Sequence, residues 1–135
     1  MTEHIHVAAG VILNGQQQVL LALRPQHKHQ GGLWEFPGGK VETGESVRAA
    51  LGRELNEELN IRVLEARAFL LVEHDYGDRK VTLDVWLVTS HSGEAHGREG
   101  QEIAWVSIAD LPSYQFPDAN VPIVSALGNL EAAAL

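Results

Sequence analysis

No cysteine occurs in the 135 residues. Disulfides, zinc–thiolate centres and thiol nucleophiles are therefore excluded, and stability has to come from packing. Long apolar runs are missing too, since nothing approaches the ~20 apolar residues that span a bilayer. The opening Met1-Thr2-Glu3-His4 has no basic segment followed by an apolar stretch, so a cytoplasmic location without membrane attachment is expected. Basic residues are the minority, 10 Lys and Arg against 18 Asp and Glu, and the net charge of −8 argues against tracking along a nucleic-acid polymer, which needs a basic footprint. Small polyphosphates stay feasible where metal ions and a few local cations neutralise them. Repeats, low-complexity tracts and Pro/Ser-rich linkers are absent as well. What is present, 44% hydrophobic and 21% charged residues, is ordinary for a globular protein. The length suits one domain, residues 1–135, with a core that needs no staples.

Residues 5–13 alternate and then become continuously apolar, Asn14-Gly15 is a turn signal, and residues 19–23 resume an apolar run, so a hairpin is expected. Residues 24–32, with Pro25, Gly31 and Gly32, read as a loop. Residues 46–59 read as a helix, with Val47, Ala50, Leu51, Leu55 and Leu59 forming an apolar stripe. Gly52 inside it costs about 1 kcal/mol relative to Ala, and a close backbone approach would account for it. Strands are expected at 63–73 and 81–89 around a turn at Tyr76-Gly77-Asp78, and a short one at 103–106. A brief helical turn follows at Ile108-Ala109-Asp110. Asp118 is expected to cap a last helix over about 119–130, with Pro122 in its first turn.

Glu54, Glu57 and Glu58 put three carboxylates into little more than one helical turn, just downstream of Gly38-Gly39. At i,i+3 and i,i+4 they share a helix face, where like charges oppose helix formation by a few tenths of a kcal/mol per pair. Such crowding asks for a cation. Hard divalent ions take carboxylate and carbonyl oxygens, keep several waters and bind phosphates at the same time. Gly38 and Gly39 are read as a loop that turns sharply and approaches a ligand without a Cβ. Arg24 and Lys40 flank this loop and are candidate phosphate contacts. Arg53 can pair with Glu57 at i,i+4. The seven histidines show no paired ligand spacing; His29 is singled out only for its place in the loop between Arg24 and the glycines.

The spacing is also informative as a pattern. From Gly39, five residues lead to Glu45, seven more lead to Arg53-Glu54-Leu55, and one more leads to Glu57-Glu58-Leu59-Asn60-Ile61. This resembles the box of the Nudix hydrolase family, with Asn60 where the family has a glycine that serves as a left-handed C-cap; Asn is the next most tolerant residue there. Trp34-Glu35-Phe36-Pro37-Gly38-Gly39-Lys40, Gly97-Arg98-Glu99-Gly100-Gln101 and Phe116-Pro117-Asp118-Ala119-Asn120 extend the resemblance to the MutT-like subfamily over nearly the whole chain.

The resemblance implies an α/β (α+β) fold, the Nudix α/β/α sandwich around a central mixed sheet. It implies hydrolysis of 8-oxo-dGTP to the monophosphate and pyrophosphate with Mg²⁺, for which Mn²⁺ would substitute, by a monomer that removes an oxidised precursor of DNA. The implied metal ligands are the Gly38 carbonyl, Glu54, Glu57, Glu58 and Glu99. Arg53 would orient the carboxylates, and Glu54 and Glu99 are alternatives for the general base. Substrate contacts would come from Arg24, His29, Glu35, Phe36, Lys40, Arg79 and Asn120. Asn120 would read the oxidised purine, its amide offering both an acceptor and donors. Phe36, Ile5, Val7 and Val81 would wall the base pocket. A pyrophosphatase for CTP or modified pyrimidine nucleotides, which the stretch from Gly31 to Phe36 also resembles, is the enzymatic alternative. A nucleotide-sensing module without turnover is the non-enzymatic one.

Overall fold

The computed structural model describes residues 3–27 and 31–132. Four strands, β1 (Glu3–Ile12), β4 (Gly38–Lys40), β5 (Arg62–Asp75) and β6 (Arg79–Ser92), form a mixed sheet in the order β4-β1-β6-β5. Only β1 and β6 run parallel, from Glu3↔Arg79 to Ile12↔Val88. A second, antiparallel sheet has the order β3-β2-β7, from β2 (Gln18–Leu23), β3 (Trp34–Glu35) and β7 (Ile103–Ser107). Helix α1 (Val47–Leu59) precedes β5, and α2 (Val121–Ala132) ends the described chain.

Strand side chains alternate between two cores, as a period of two demands. Ala9, Val11, Val19, Leu21, Val85 and Leu87 join Ile123 and Leu127 of α2 in one apolar cluster. Ala8, Ile12, Leu20 and Val88 join Ala50, Leu51, Leu55 and Leu59 of α1 in the other. Both sheets contribute to both clusters, so together they form one layer between two helices, which is the expected sandwich. Each fully buried Leu in these clusters is worth roughly 1.5–3 kcal/mol of transfer free energy.

Helix α1 follows its sequence closely. The Ser46 hydroxyl accepts the Ala49 amide at 3.0 Å, an N-cap, and Asn60 closes the other end at φ 63° with its amide on the Asn56 carbonyl. Gly52 meets no neighbouring backbone; only the tip of Arg48 lies near a Cβ placed there. No close approach explains it.

The expected hairpin is not a two-stranded unit. β1 and β2 share the isolated bridge Leu13↔Val19 and then part into different sheets. Both edges of β1 are taken by β4 and β6. The connection is a wider turn in which Asn14 Oδ1 accepts from the Gln16 and Gln18 amides, with Gln17 left-handed at φ 59°. The final helix also differs from expectation. Residues Asp118–Asn120 form a separate 3-10 turn in which Pro117 occupies the cap position without a side-chain bond, so Asp118 is the first residue of the turn and not its cap.

Candidate active site

Gly38 and Gly39 lie in β4, paired with Ala9 and Ala8 of β1, and neither has a positive φ. They make no sharp turn, contrary to expectation. Their role is close approach: a Cβ on Gly38 would strike the Ala8 carbonyl, and one on Gly39 would strike the Glu54 carboxylate. The glycine pair thus lets α1 lay Glu54 against the backbone of β4.

Arg53 organises the acids around that contact. Its guanidinium donates to Glu45 at 2.8 and 2.9 Å, to Glu54 at 2.8 Å and to the Lys40 carbonyl at 3.1 Å, and it stands 3.5 Å from Glu57. The hydrogen bonds from Arg53, with a second from the Glu42 amide, hold the Glu45 carboxyl at about 2 against an ordinary 4.5. In return the Glu45 and Glu54 bonds push the Arg53 pKa up. One guanidinium ties the loop after β4 to the middle of α1.

The loop before β7 is fastened to the other end of α1. A helix leaves its last carbonyls without partners. Here the Arg98 amide takes the Glu58 carbonyl at 2.9 Å, the Arg98 side chain takes the Asn56 carbonyl at 3.1 Å, Gln101 takes Glu58 again at 3.3 Å, and the His96 amide takes Leu59 at 3.1 Å. That clamp carries Glu99 to α1. Sequence reasoning gave Arg98 and Gln101 no such role. A cation able to serve helix carbonyls was the available signal, but the 42 residues between Arg98 and Asn56 hid it.

These pieces open onto one cavity of about 880 Å³. Its wall carries an acidic set, Glu42, Glu54, Glu58 and Glu99 with Gly38, Gly39, Lys40 and Gln101, and an apolar set, Ile5, Val7, Phe36, Val81 and Leu83 with Tyr76 and Asn120; Arg24, Glu35 and Arg79 also line it. Glu57 is not on the wall; it is more than half exposed beside Arg53. Among the described residues, no three acids or histidines close around a point as a finished metal cage. The donor set on the wall nevertheless suits a hard divalent ion, being carboxylates and backbone carbonyls without sulfur or imidazole.

The four expected apolar wall residues, Ile5, Val7, Phe36 and Val81, all line the cavity. Asn120 is 7% exposed, and its Oδ1 accepts the Phe36 amide at 3.3 Å. Phe36 stacks on Phe116, centroids 5.5 Å apart. Arg24 is bonded to Glu35 at 2.8 Å, so these two reach the wall as an ion pair. The Arg79 Nε is buried without a hydrogen-bond partner among the described residues, with Asp78 at 3.9 Å. His29 lies outside the described residues.

A mixed sheet held between two helices, with a carboxylate-lined cavity where a Gly-Gly strand meets an acidic helix, is the architecture of the Nudix class. The model of the NUDIX domain matches residues 8–126, and the chain belongs to that family. It is similar to the 8-oxo-dGTP diphosphatase of Escherichia coli K12, 37% identical over 126 residues that cover 93% of this chain and 98% of the relative. The CTP pyrophosphohydrolase of the same strain is also 37% identical, over 129 residues covering 96% and 95%. A solved MutT structure from work on Aliivibrio salmonicida and Vibrio cholerae superposes with a TM-score of 0.83, at 47% identity, covering 95% of this chain and 99% of that one.

Proposed function

We propose that this protein is a metal-dependent nucleoside triphosphate pyrophosphohydrolase that converts 8-oxo-dGTP to 8-oxo-dGMP and pyrophosphate. The observation that carries this reading is that one cavity is lined both by a set of carboxylates and by a set of apolar side chains with a buried amide. Carboxylates outnumber cations on the wall, so a triphosphate enters only with metal ions. Mg²⁺, or Mn²⁺ in its place, would be held by Glu54, Glu57, Glu58, Glu99 and the Gly38 carbonyl, and would supply charge neutralisation and Lewis acidity at phosphorus. Lys40, Arg24 and Arg79 serve the phosphates; the Arg79 Nε, buried and without a hydrogen bond among the described residues, is suited to an anion. Glu54 from α1 or Glu99 from the facing loop accepts the proton of the attacking water. Arg53 holds Glu54 in place. On the same cavity wall Ile5, Val7, Phe36 and Val81 exclude water from the base while Asn120 reads its polar edge.

The enzyme acts on free nucleotides as a single-domain cytoplasmic monomer, and its product cannot be re-incorporated into DNA as a triphosphate. No helix among the described residues is long and apolar enough to cross a membrane. The equal identity to a relative named for CTP supports a second reading, a pyrimidine nucleotide as substrate. Hydrolysis of 8-oxo-dGTP, dGTP, CTP and 5-methyl-dCTP with Mg²⁺, followed as pyrophosphate release, separates the two. The first reading expects the highest kcat/KM for 8-oxo-dGTP; a higher value for CTP would replace it by the second. Glu99→Gln should lower kcat with little change in monophosphate affinity, and an unchanged kcat would remove Glu99 from the chemistry.

A further inference from the structure

The turn that carries Asn120 has no cap of its own. The first amides of a helical turn find no partner within it. In Asp118–Asn120 the cap position is Pro117, which offers no side-chain acceptor, and the carboxylate of Asp118 is 73% exposed. The Asn120 amide reaches the Pro117 carbonyl at 2.9 Å. The amide of Ala119, a residue only 3% exposed, is met from across the fold by the Tyr76 hydroxyl at 2.9 Å.

Tyr76 is itself held in place. It sits in the β5–β6 turn with its amide on the Arg79 carbonyl at 2.8 Å, and its ring packs edgewise on His74 at 4.5 Å. Burial pushes its phenol pKa above the ordinary value, which keeps the hydroxyl neutral. Tyr76, Ala119 and Asn120 all line the cavity.

We propose that Tyr76 is a positioning residue for base recognition: its hydroxyl caps the Asp118–Asn120 turn from the β5–β6 turn and thereby sets where the Asn120 side-chain amide lies in the cavity. This rests on the reading of Asn120 as the contact to the base. A cap supplied by a distant strand end couples the β5–β6 turn to base selectivity, which a cap within the segment would not do.

A double-mutant cycle tests it, with wild type, Tyr76→Phe, Asn120→Ala and the double variant. The quantity is the kcat/KM ratio of the preferred nucleotide of the panel to its nearest competitor, with thermal melts alongside. Tyr76→Phe keeps the ring and removes the hydroxyl that accepts the Ala119 amide. It should lower the ratio about threefold to tenfold, the scale of one hydrogen bond, with the loss in KM rather than kcat. On the Asn120→Ala background the same change should move the ratio by less than about twofold. An unchanged ratio in Tyr76→Phe while Asn120→Ala loses selectivity would reduce Tyr76 to packing. An equal loss in both backgrounds would show that it acts without Asn120. If Asn120→Ala itself leaves the ratio intact, the base-reading role fails and the positioning role fails with it, a pattern distinct from the other two.

Discussion

Among the acidic residues of the cavity wall, Glu54 and Glu58 come from one stretch of α1, with Glu54 against Gly39 of β4, while Glu99 comes from the loop before β7. Among the apolar ones, Ile5 and Val7 come from β1, Phe36 from the segment between β3 and β4 and Val81 from β6, and Asn120 joins them from a turn near the C-terminus. The acidic set depends on charge and on ties to two guanidiniums, Arg53 at Glu54 and Arg98 at the last turn of α1. The apolar set depends on shape; the Phe36 amide bonds the Asn120 side chain from 84 residues away, and the Tyr76 hydroxyl takes the Ala119 amide from 43 residues away. Charge chemistry can be assembled locally because helical spacing alone brings carboxylates together. A base-shaped apolar slot needs several strands in register.

The sharpest break between the two sets comes from removing the charges. Glu54→Gln, Glu57→Gln and Glu58→Gln should each lower kcat by more than about a hundredfold, beyond the 10–100-fold that loss of a ligand's outer partner brings. Relief of like-charge repulsion leaves thermal stability equal or slightly higher. Metal titration and melts of the three variants check this, and near-wild-type turnover in all of them would end the metal-platform reading.

The glycine pair allows a finer cut within the acidic set. Gly38→Ala drives a methyl into the Ala8 carbonyl, so it should destabilise the fold by about 1–3 kcal/mol, the usual cost of overpacking. Gly39→Ala pushes instead on the Glu54 carboxylate and should lower kcat more than it lowers Tm. Denaturant melts paired with kinetics decide it; identical profiles for the two variants would contradict the separate contacts.

Within the apolar set, Asn120→Ala should weaken binding of the cognate monophosphate by roughly 1–3 kcal/mol, as for a buried polar group left unpaired, while changing dGMP binding much less. Calorimetric titration of 8-oxo-dGMP and dGMP reads this directly. Equal losses for both would make Asn120 a structural residue.

The smallest expected effect concerns acid. Because the folded state holds the Glu45 carboxyl near 2, below its ordinary 4.5, its ion pair with Arg53 stabilises the protein above about pH 4.5. That contribution fades as the pH falls towards 2. Wild-type Tm should therefore drop more steeply over that range than the Tm of Glu45→Gln. Parallel curves would show that Glu45 and Arg53 do not stabilise the fold.

Much of the acidic set is legible in the sequence. The helix, its apolar stripe, the Asn60 cap and the shared face of the acids all follow from spacings within α1. The Arg98 clamp and the Tyr76 cap were not legible, since each joins groups more than 40 residues apart and leaves no local periodicity. Gly38 and Gly39 were assigned to a sharp turn because sequence shows only that a Cβ is absent, not whether φ or a neighbour forbids it. The hairpin failed for a related reason. Alternation marks strands, but only the competition for both edges of β1 decides their partners.

By itself, then, the order of residues determined what short-range geometry can enforce: a capped amphipathic helix, a crowded acidic face, an Arg-Glu register, and strands of the right period. Tertiary structure alone decided that β1 and β2 part into two sheets, that Glu57 stands outside the cavity while Glu54 and Glu58 line it, and that Arg24 arrives bound to Glu35. It also set Asn120 between Phe36 and the turn held by Tyr76. The physical reason is one of range. Helical and strand periodicities act over a few residues, whereas a cavity wall is fixed by which distant backbones find their hydrogen-bond partners once the apolar faces have packed.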